Sequence, residues 1–312
     1  FMNIFFWMDT PYFFDLKKDT TYALIHECLE QKLNVFFIIN VSMKPQELIL
    51  ESQKISPFKF GEPIKLKSDK KIFKTKEIDA IWIRKDPPVN KMYIRELLIF
   101  NQFESKIQIL NHPLGILKTN EKIAATIFKD FTPPTLLSQK TNEIEHFIRD
   151  QGTCIIKPID GFGGQGVFKV TENDTNLKTI IETMSQNESE QIICQKAVRH
   201  QTGDKRILIL DGKPIGAVNR VNPTGHRNNF MSGGHAEAAT ITEHDENIIK
   251  TIKPYLIENG LFFVGIDIID NHLIEINVTS PTGLQEINQL NKIKIQKLII
   301  KKMIGNINET KT

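Results

Sequence analysis

The sequence predicts an α/β (α+β) protein: an open α/β N-terminal domain, followed by segments in which strands and helices mix. Three observations carry this expectation. Apolar strands alternate with amphipathic helices through the first third of the chain. A glycine-rich stretch, Asp160 to Gly166, stands between two strand-like runs. Val264 to Gly283 reads as a strand, a tight turn and a returning strand. With 312 residues, 40% hydrophobic and 25% charged, the chain is globular and long enough for about two or three domains. The net charge of +3 is spread among interspersed acids and bases without a basic run, so nucleic acid is not an expected partner. Cys28, Cys154 and Cys194 are far apart in apolar surroundings, which fits reduced thiols in a cytoplasmic protein. No apolar stretch is long enough to span a bilayer, so no membrane is expected either.

Asn3 to Met8 reads as a buried strand. Asp19-Thr20-Thr21 caps a helix whose Leu24, Ile25, Cys28 and Leu29 recur at helical spacing. Val35 to Ile39 is the next strand, and Ser42 to Lys76 is polar and without clear period. Strand Ile78–Ile83, helix Tyr93–Phe103 and strand Ile107–Leu110 complete the open domain near His112-Pro113. Two loops in it, K-K-D-T-T at 17–21 and R-K-D-P-P at 84–88, could hold a carboxylate, or be no more than a cap and a turn.

Asn120 is placed to cap a helix over E-K-I-A-A-T-I-F-K-D-F, ending before Pro133-Pro134. A helix at Ile144–Asp150 stops at Gly152 and leads to the strand C-I-I-K-P. Gly161, Gly163 and Gly166 have the literal spacing of a dinucleotide fingerprint, yet V-F-K-V-T after them is β-branched and alternating. That fingerprint must open a helix, so the stretch reads instead as a glycine loop between strands whose backbone can close over phosphates. Lys157, just ahead of it, supplies a point charge, although a lone lysine on a strand is more often a solvated edge residue. Helix Leu177–Met184 and strand Gln191–Val198 follow.

G-D-K-R at 203–206 opens the last segment, with R-I-L-I-L and P-I-G-A-V-N-R-V joined by an Asp211-Gly212 hairpin turn. The polar, glycine-rich stretch 221–234 reads as a lid or a connection. Helix Glu246–Glu258 ends at Gly260, and a final helix is expected over Ile287–Ile304.

In the hairpin, Asp267 lies on the first strand, and Glu275 and Asn277 lie two apart on the second. Such hard oxygens on one face suit Mg2+; a solvated hairpin face is the alternative. A simple two-residue turn at Asp270-Asn271 would send Asp267 and Glu275 to opposite faces. The metal reading therefore requires an odd loop or a bulge between Ile268 and Leu273.

Taken together, N-E-K at 120–122, I-I-K-P-I-D-G-F-G-G-Q-G at 155–166, G-D-K-R at 203–206 and F-V-G-I-D-I-I-D-N-H-L-I-E-I-N-V-T-S-P-T at 263–282 resemble bacterial glutathione synthetase, of the ATP-grasp superfamily. K-K-D-T-T and R-K-D-P-P resemble that family as well. The resemblance implies an ATP-grasp fold behind the open α/β domain, divided as 1–118, 119–200 (the central lid domain) and 201–312. It implies ligation of glycine to the C-terminal carboxylate of γ-glutamylcysteine through an acyl phosphate, with ATP as cosubstrate and Mg2+, or Mn2+ in its place, as metal. By the same resemblance Lys122 and Lys157 contact ATP phosphates, which Gly161, Gly163, Gly164 and Gly166 cover. Gln195, Lys196 and Val198 line the adenine linker, where superfamily relatives often carry an acid, and Asp204 also faces the nucleotide. Asp267, Glu275 and Asn277 hold the metal, Arg206 steadies the acyl phosphate, and Arg227 belongs to the lid. Asp19, Thr20, Arg84, Asp86, Ser280 and Thr282 seat the peptide, and the enzyme is a homo-oligomer, a tetramer by resemblance. A different ATP-grasp ligase, a nicotinamide enzyme and a non-catalytic nucleotide-binding module are the alternatives.

Overall fold

The computed structural model describes residues 2–161, 165–199, 203–222 and 235–311. The first sheet is built on β1 (Asn3–Met8), whose residues 4–8 are all buried because parallel neighbours and helices cover both faces. After it comes α1 (Thr20–Glu30), where Asp19 caps the helix by accepting from the Tyr22 N–H at 2.7 Å. Next are β2 (Asn34–Lys44), β3 (Glu47–Ser56), β4 (Lys65–Lys74), β5 (Ala80–Arg84), α2 (Lys91–Asn101), β6 (Gln108–Leu110) and α3 (Pro113–Lys118). The sheet order is β4-β3-β2-β1-β5-β6, parallel from β2 to β6 and antiparallel through β3 and β4.

The stretch 42–76, polar and without clear period in the sequence, is thus mostly strand. Its alternation fails because β4 is an outer strand exposed along most of its length, so lysines occupy both faces. The helix expected from Asn120 is a turn followed by a short 3-10 helix at Ala124–Ile127. Asn120 does accept from the N–H groups of Lys122 and Ile123, at 3.2 and 3.1 Å. The Glu121 carbonyl, however, accepts from the Ile276 N–H at 2.8 Å, so it is not free to open an α-helical ladder.

A second, antiparallel sheet follows, made of β7 (Thr135–Ser138), β8 (Cys154–Pro158), β9 (Phe168–Val170) and β10 (Ile192–Lys196) in the order β7-β10-β8-β9. Helices α4 (Thr141–Gln151) and α5 (Leu177–Met184) pack on it, and Ile144, Ile148, Cys154, Ile156, Ile181 and Cys194 close a core of its own. As the alternation indicated, the glycine stretch leads into β9, a strand.

The third sheet comprises β11 (Asp204–Leu210), β12 (Lys213–Val221), β13 (His235–Ala238), β14 (Phe263–Ile269) and β15 (His272–Asn277), ordered β13-β12-β11-β14-β15. Helix α6 (Glu243–Glu258) starts at a Thr242–Asp245 capping box, one turn earlier than its apolar period suggested. The single final helix expected over 287–304 is two, α7 (Leu284–Asn291) and α8 (Ile295–Lys311), divided where Lys292 takes a left-handed conformation, φ 54°. The first and third sheets share their cores: Phe6, Leu24 and Trp82 pack in one cluster with Leu208, Phe263 and Ile300. All three cysteines are free and buried. Among the described residues no helix is long and apolar enough to cross a membrane.

Candidate active site

Four adjacent strands of the third sheet carry a charged row. Arg206 on β11 lies opposite Asp267 on β14, which lies opposite Glu275 on β15; Asp204 faces Arg220 on β12. Two one-residue slips create this alignment. The β14–β15 turn is a two-residue turn, with Asp270 and Asn271 at φ 47° and 65°, and Ile269 pairs with His272. The phase is then restored on β15, where the register jumps past Ile274 so that Glu275 comes opposite Asp267 and Asn277 opposite Gly265. A bulge is present, as one face for these groups requires, but beyond Leu273 and not within the turn. The second slip, near Leu208 and Ile209, brings Arg220 opposite Asp204, where an unbroken ladder would have placed Asn219.

The Arg206 guanidinium grips Asp267 in a fork. Nε contacts Oδ1 and Nη2 donates to Oδ2 at 2.9 Å, while Nη1 donates to the Thr282 carbonyl at 3.2 Å. Gly265 makes room for this side chain, since a Cβ there would lie 2.9 Å from Arg206 Cδ. Arg220 Nη2 lies 2.6 Å from Asp204 Oδ2 and 2.9 Å from Asp267 Oδ2. Burial alone would raise the Asp267 pKa, but Arg206 and Arg220 outweigh it and hold the carboxyl well below the ordinary carboxylate range. For Asp204, burial prevails over Arg220 and, with Asp267 adding to it, pushes the carboxyl up to about 6.

Two lysines face this row. Lys157 on β8 is buried; its ammonium donates to Gln195 Oε1 at 3.1 Å, and Gln195 Nε2 donates in turn to Thr135 Oγ1 at 2.8 Å. Among the described residues no carboxylate pairs directly with Lys157. Burial lowers its pKa to about 8, with Glu275 opposing and Lys122 reinforcing the shift. Lys122 Nζ contacts the Gly161 carbonyl, lies 3.4 Å from the Ile159 carbonyl and pairs with Glu275 Oε1 at 3.4 Å. Gly161 is thereby set beside Lys122, and Gly166, at φ 68°, lies against Pro158. Gly163 and Gly164 lie outside the described residues, as do Arg227 and nearly all of the 221–234 stretch. On β10 the Gln195 side chain turns inward while Lys196 is exposed; Val198 is half-buried.

The other end of the site lies between α1, the end of β5 and the 279–286 segment. Arg84 Nε donates to Thr21 Oγ1 and Nη2 to the Pro281 carbonyl, both at 3.0 Å, and its guanidinium sits over the Phe263 ring. The Asp19 carbonyl accepts from Gln285 Nε2, tying α1 to α7. Burial raises the Asp86 pKa, and a hydrogen bond with the Ser280 side chain partly offsets it. Thr20 Oγ1, Arg84 Nη1 and Glu286 Oε2 are buried polar atoms without a hydrogen-bond partner. Such atoms are costly unless a ligand satisfies them.

Sequence reasoning missed Arg220, Glu121 and Glu286. Glu121 was adjacent to a chosen lysine, and Arg220 depended on a slip that no residue pattern announces. The donor set fits a hard divalent cation: Asp267 and Glu275 are register neighbours, and Asn277 uses its amide nitrogen on the Gly265 carbonyl at 3.3 Å, leaving its oxygen outside that bond. Asp267 would have to share oxygens now held by Arg206 and Arg220. The buried Lys157, with no carboxylate partner, fits a phosphate.

Comparison with known proteins agrees along the whole chain. Residues 2–116 match the family model of the prokaryotic glutathione synthetase N-terminal domain, and residues 121–292 match that of its ATP-grasp domain. A glutathione synthetase of Buchnera aphidicola subsp. Baizongia pistaciae is 34% identical, over 100% of this chain and 98% of its own length. One of Thermosynechococcus vestitus is 41% identical over 69% of each. Among solved structures, a D-cycloserine synthetase superposes with TM-score 0.65 at 12% identity, over 97% of this chain and 99% of its own. The D-alanyl-alanine synthetase A of Vibrio cholerae gives 0.59 at 15%, over 99% of each. The structural likeness establishes the ATP-grasp fold, and matches at both ends of the chain establish the narrower group: the chain belongs to the prokaryotic glutathione synthetase family.

Proposed function

We propose that the protein is an ATP-dependent carboxylate–amine ligase that joins glycine to the C-terminal carboxylate of γ-glutamylcysteine, releasing ADP and phosphate. One observation carries the reading: Lys122 and Lys157 face the Arg206–Asp267–Glu275 row, and the Thr282 carbonyl bonded to Arg206 joins that row to the segment gripped by Arg84. In the proposed organisation, 1–118 supplies the peptide side, 119–200 covers the nucleotide and 201–312 supplies the phosphate side.

The dipeptide's γ-glutamyl end is seated between α1 and Arg84, where its carboxylate meets the free Nη1 and its ammonium meets Glu286 and Asp86. Ser280, Thr282 and the α1 cap residues Asp19 and Thr20 hold the dipeptide's length. Its C-terminal carboxylate then reaches the phosphate end and attacks the γ-phosphorus of ATP, forming the acyl phosphate and ADP. Lys122, Lys157 and Arg206 neutralise charge on the phosphoryl oxygens as bonds change partners. Glycine's amine attacks the acyl carbon, phosphate leaves and the peptide bond remains. Asp267, Glu275 and Asn277 would hold Mg2+, or Mn2+, which when bound adds positive charge to the same oxygens. The glycine stretch covers the phosphates by backbone contact, and Gln195, Lys196, Val198 and Asp204 border the nucleotide.

Phosphate release from ATP, measured with γ-glutamylcysteine in the presence and absence of glycine, tests the reading. Glutathione and phosphate should form in equal amounts when all three substrates are present. Phosphate release that γ-glutamylcysteine does not stimulate would overturn it.

A further inference from the structure

Glu121 stands between the two ends of the site and belongs to neither. It is half-buried, and a single carboxylate oxygen, Oε1, accepts three bonds: from the Val278 N–H at 2.9 Å, the Thr279 N–H at 3.0 Å and the Thr279 hydroxyl at 2.8 Å. Its own carbonyl accepts from the Ile276 N–H at 2.8 Å. One residue of the 120–123 turn thus fixes the backbone from 276 to 279, just ahead of Pro281 and Thr282, whose carbonyls Arg84 and Arg206 hold. The next residue in that turn is Lys122, which pairs with Glu275 and touches the Gly161 carbonyl. A carboxylate is costly to bury, and here burial and the nearby Glu275 both push the Glu121 pKa up, against the bonds from Thr279 and Val278. Two main-chain N–H groups and a hydroxyl converge on Oε1, so the position calls for the acceptor itself.

Resting on the proposed function, we infer that Glu121 is a positioning residue that couples the two substrates. The turn that presents Lys122 to the nucleotide also sets, through Glu121, the 276–282 backbone that presents Ser280 and Thr282 to the peptide. Nucleotide and peptide therefore bind with mutual preference, and by linkage each strengthens the other by the same factor. Glu121 touches no reacting atom; its effect passes through the main chain.

The test compares wild type with Glu121→Ala and Glu121→Gln. In Glu121→Ala the KM for γ-glutamylcysteine should rise roughly 10- to 100-fold, as expected for losing several bonds to a charged acceptor, while the dissociation constant for ADP alone moves less than about threefold. Glu121→Gln keeps an acceptor oxygen and nearly the same volume, so it should recover most of the dipeptide KM. In wild type, Mg-ADP should slow amide hydrogen exchange at 276–282; in Glu121→Ala it should not. The exchange arm needs no peptide, so it scores Glu121 even if the wild type turns over a different carboxylate. Equal loss of dipeptide and ADP affinity in Glu121→Ala, no recovery in Glu121→Gln, or wild-type exchange at 276–282 indifferent to ADP would each overturn the coupling role. Glu121→Gln differs by one heavy atom in kind, so the exchange comparison holds should the alanine variant not fold.

Discussion

The two ends of the site handle buried polarity in opposite ways. At the peptide end, Thr20 Oγ1, Arg84 Nη1 and Glu286 Oε2 are buried and unpartnered. At the phosphate end Asp204 Oδ1 is unpartnered too, but Asp267 is held by both Arg206 and Arg220, and Lys122 by Glu275. On the proposed reading, the dipeptide fills the vacant hydrogen-bond positions at the peptide end. At the phosphate end the Arg206–Asp267–Arg220 group is internally paired while Lys157 has no carboxylate partner, and on the proposed reading the paired groups bind by exchanging partners.

This difference makes variants at the two ends separable. The largest effect is expected for Asp267→Ala, which removes the carboxylate partner of the buried Arg206 and one of the two carboxylates beside Arg220. Breaking a buried pair from one side costs about 3–5 kcal/mol, so a fall in melting temperature should accompany loss of activity, measurable by calorimetry and phosphate release. A variant with unchanged stability would show that the row does not hold the fold. Arg84→Ala comes next: kcat/KM for γ-glutamylcysteine should fall by about 2–4 kcal/mol of binding, while the KM for ATP stays near wild type. Parallel loss in both constants would erase the distinction between the ends. Lys157→Ala should raise the KM for ATP and lower kcat, about tenfold each, since its charge acts in binding and in phosphoryl transfer.

The smallest effect is a pH dependence. Lys157 is lowered from its ordinary 10.5 to about 8 by burial. Between those values the unfolded chain binds the proton that the folded protein has released, so this group's contribution to stability increases as pH rises. The ammonium available to phosphate decreases over the same interval. Above pH 8, kcat/KM for ATP should therefore fall, and this lysine's contribution to stability should move the other way. An alkaline limb that persists unchanged in Lys157→Ala would assign it to another group.

Much of the site was readable in the residue order because its carriers sit next to punctuation. Lys157 precedes the glycine stretch, and Asp270-Asn271 marks the hairpin that bears Asp267 and Glu275. The need for a slip in that hairpin followed from period-two geometry alone; its place at Ile274 did not, because a bulge there has no compositional mark. Arg220 was unreadable for the same reason. Strand β4 escaped because a solvent-facing strand lacks the alternation that burial imposes, β3 because its apolar residues Leu48, Ile49 and Leu50 run together although its burial alternates, and the Asn120 helix failed because a contact over 150 residues away took a carbonyl the helix required.

The shared core of the first and third sheets has a consequence for biosynthesis. Ile4, Phe6, Tyr22 and Leu24 share a core with Ile299, Ile300 and Met303 of α8, and α1 packs on that helix. A ribosome adding about 5–20 residues per second needs on the order of 10 to 40 s to proceed from the end of β6 to the start of α8. For that interval the apolar face that α8 covers in the folded protein is without that cover.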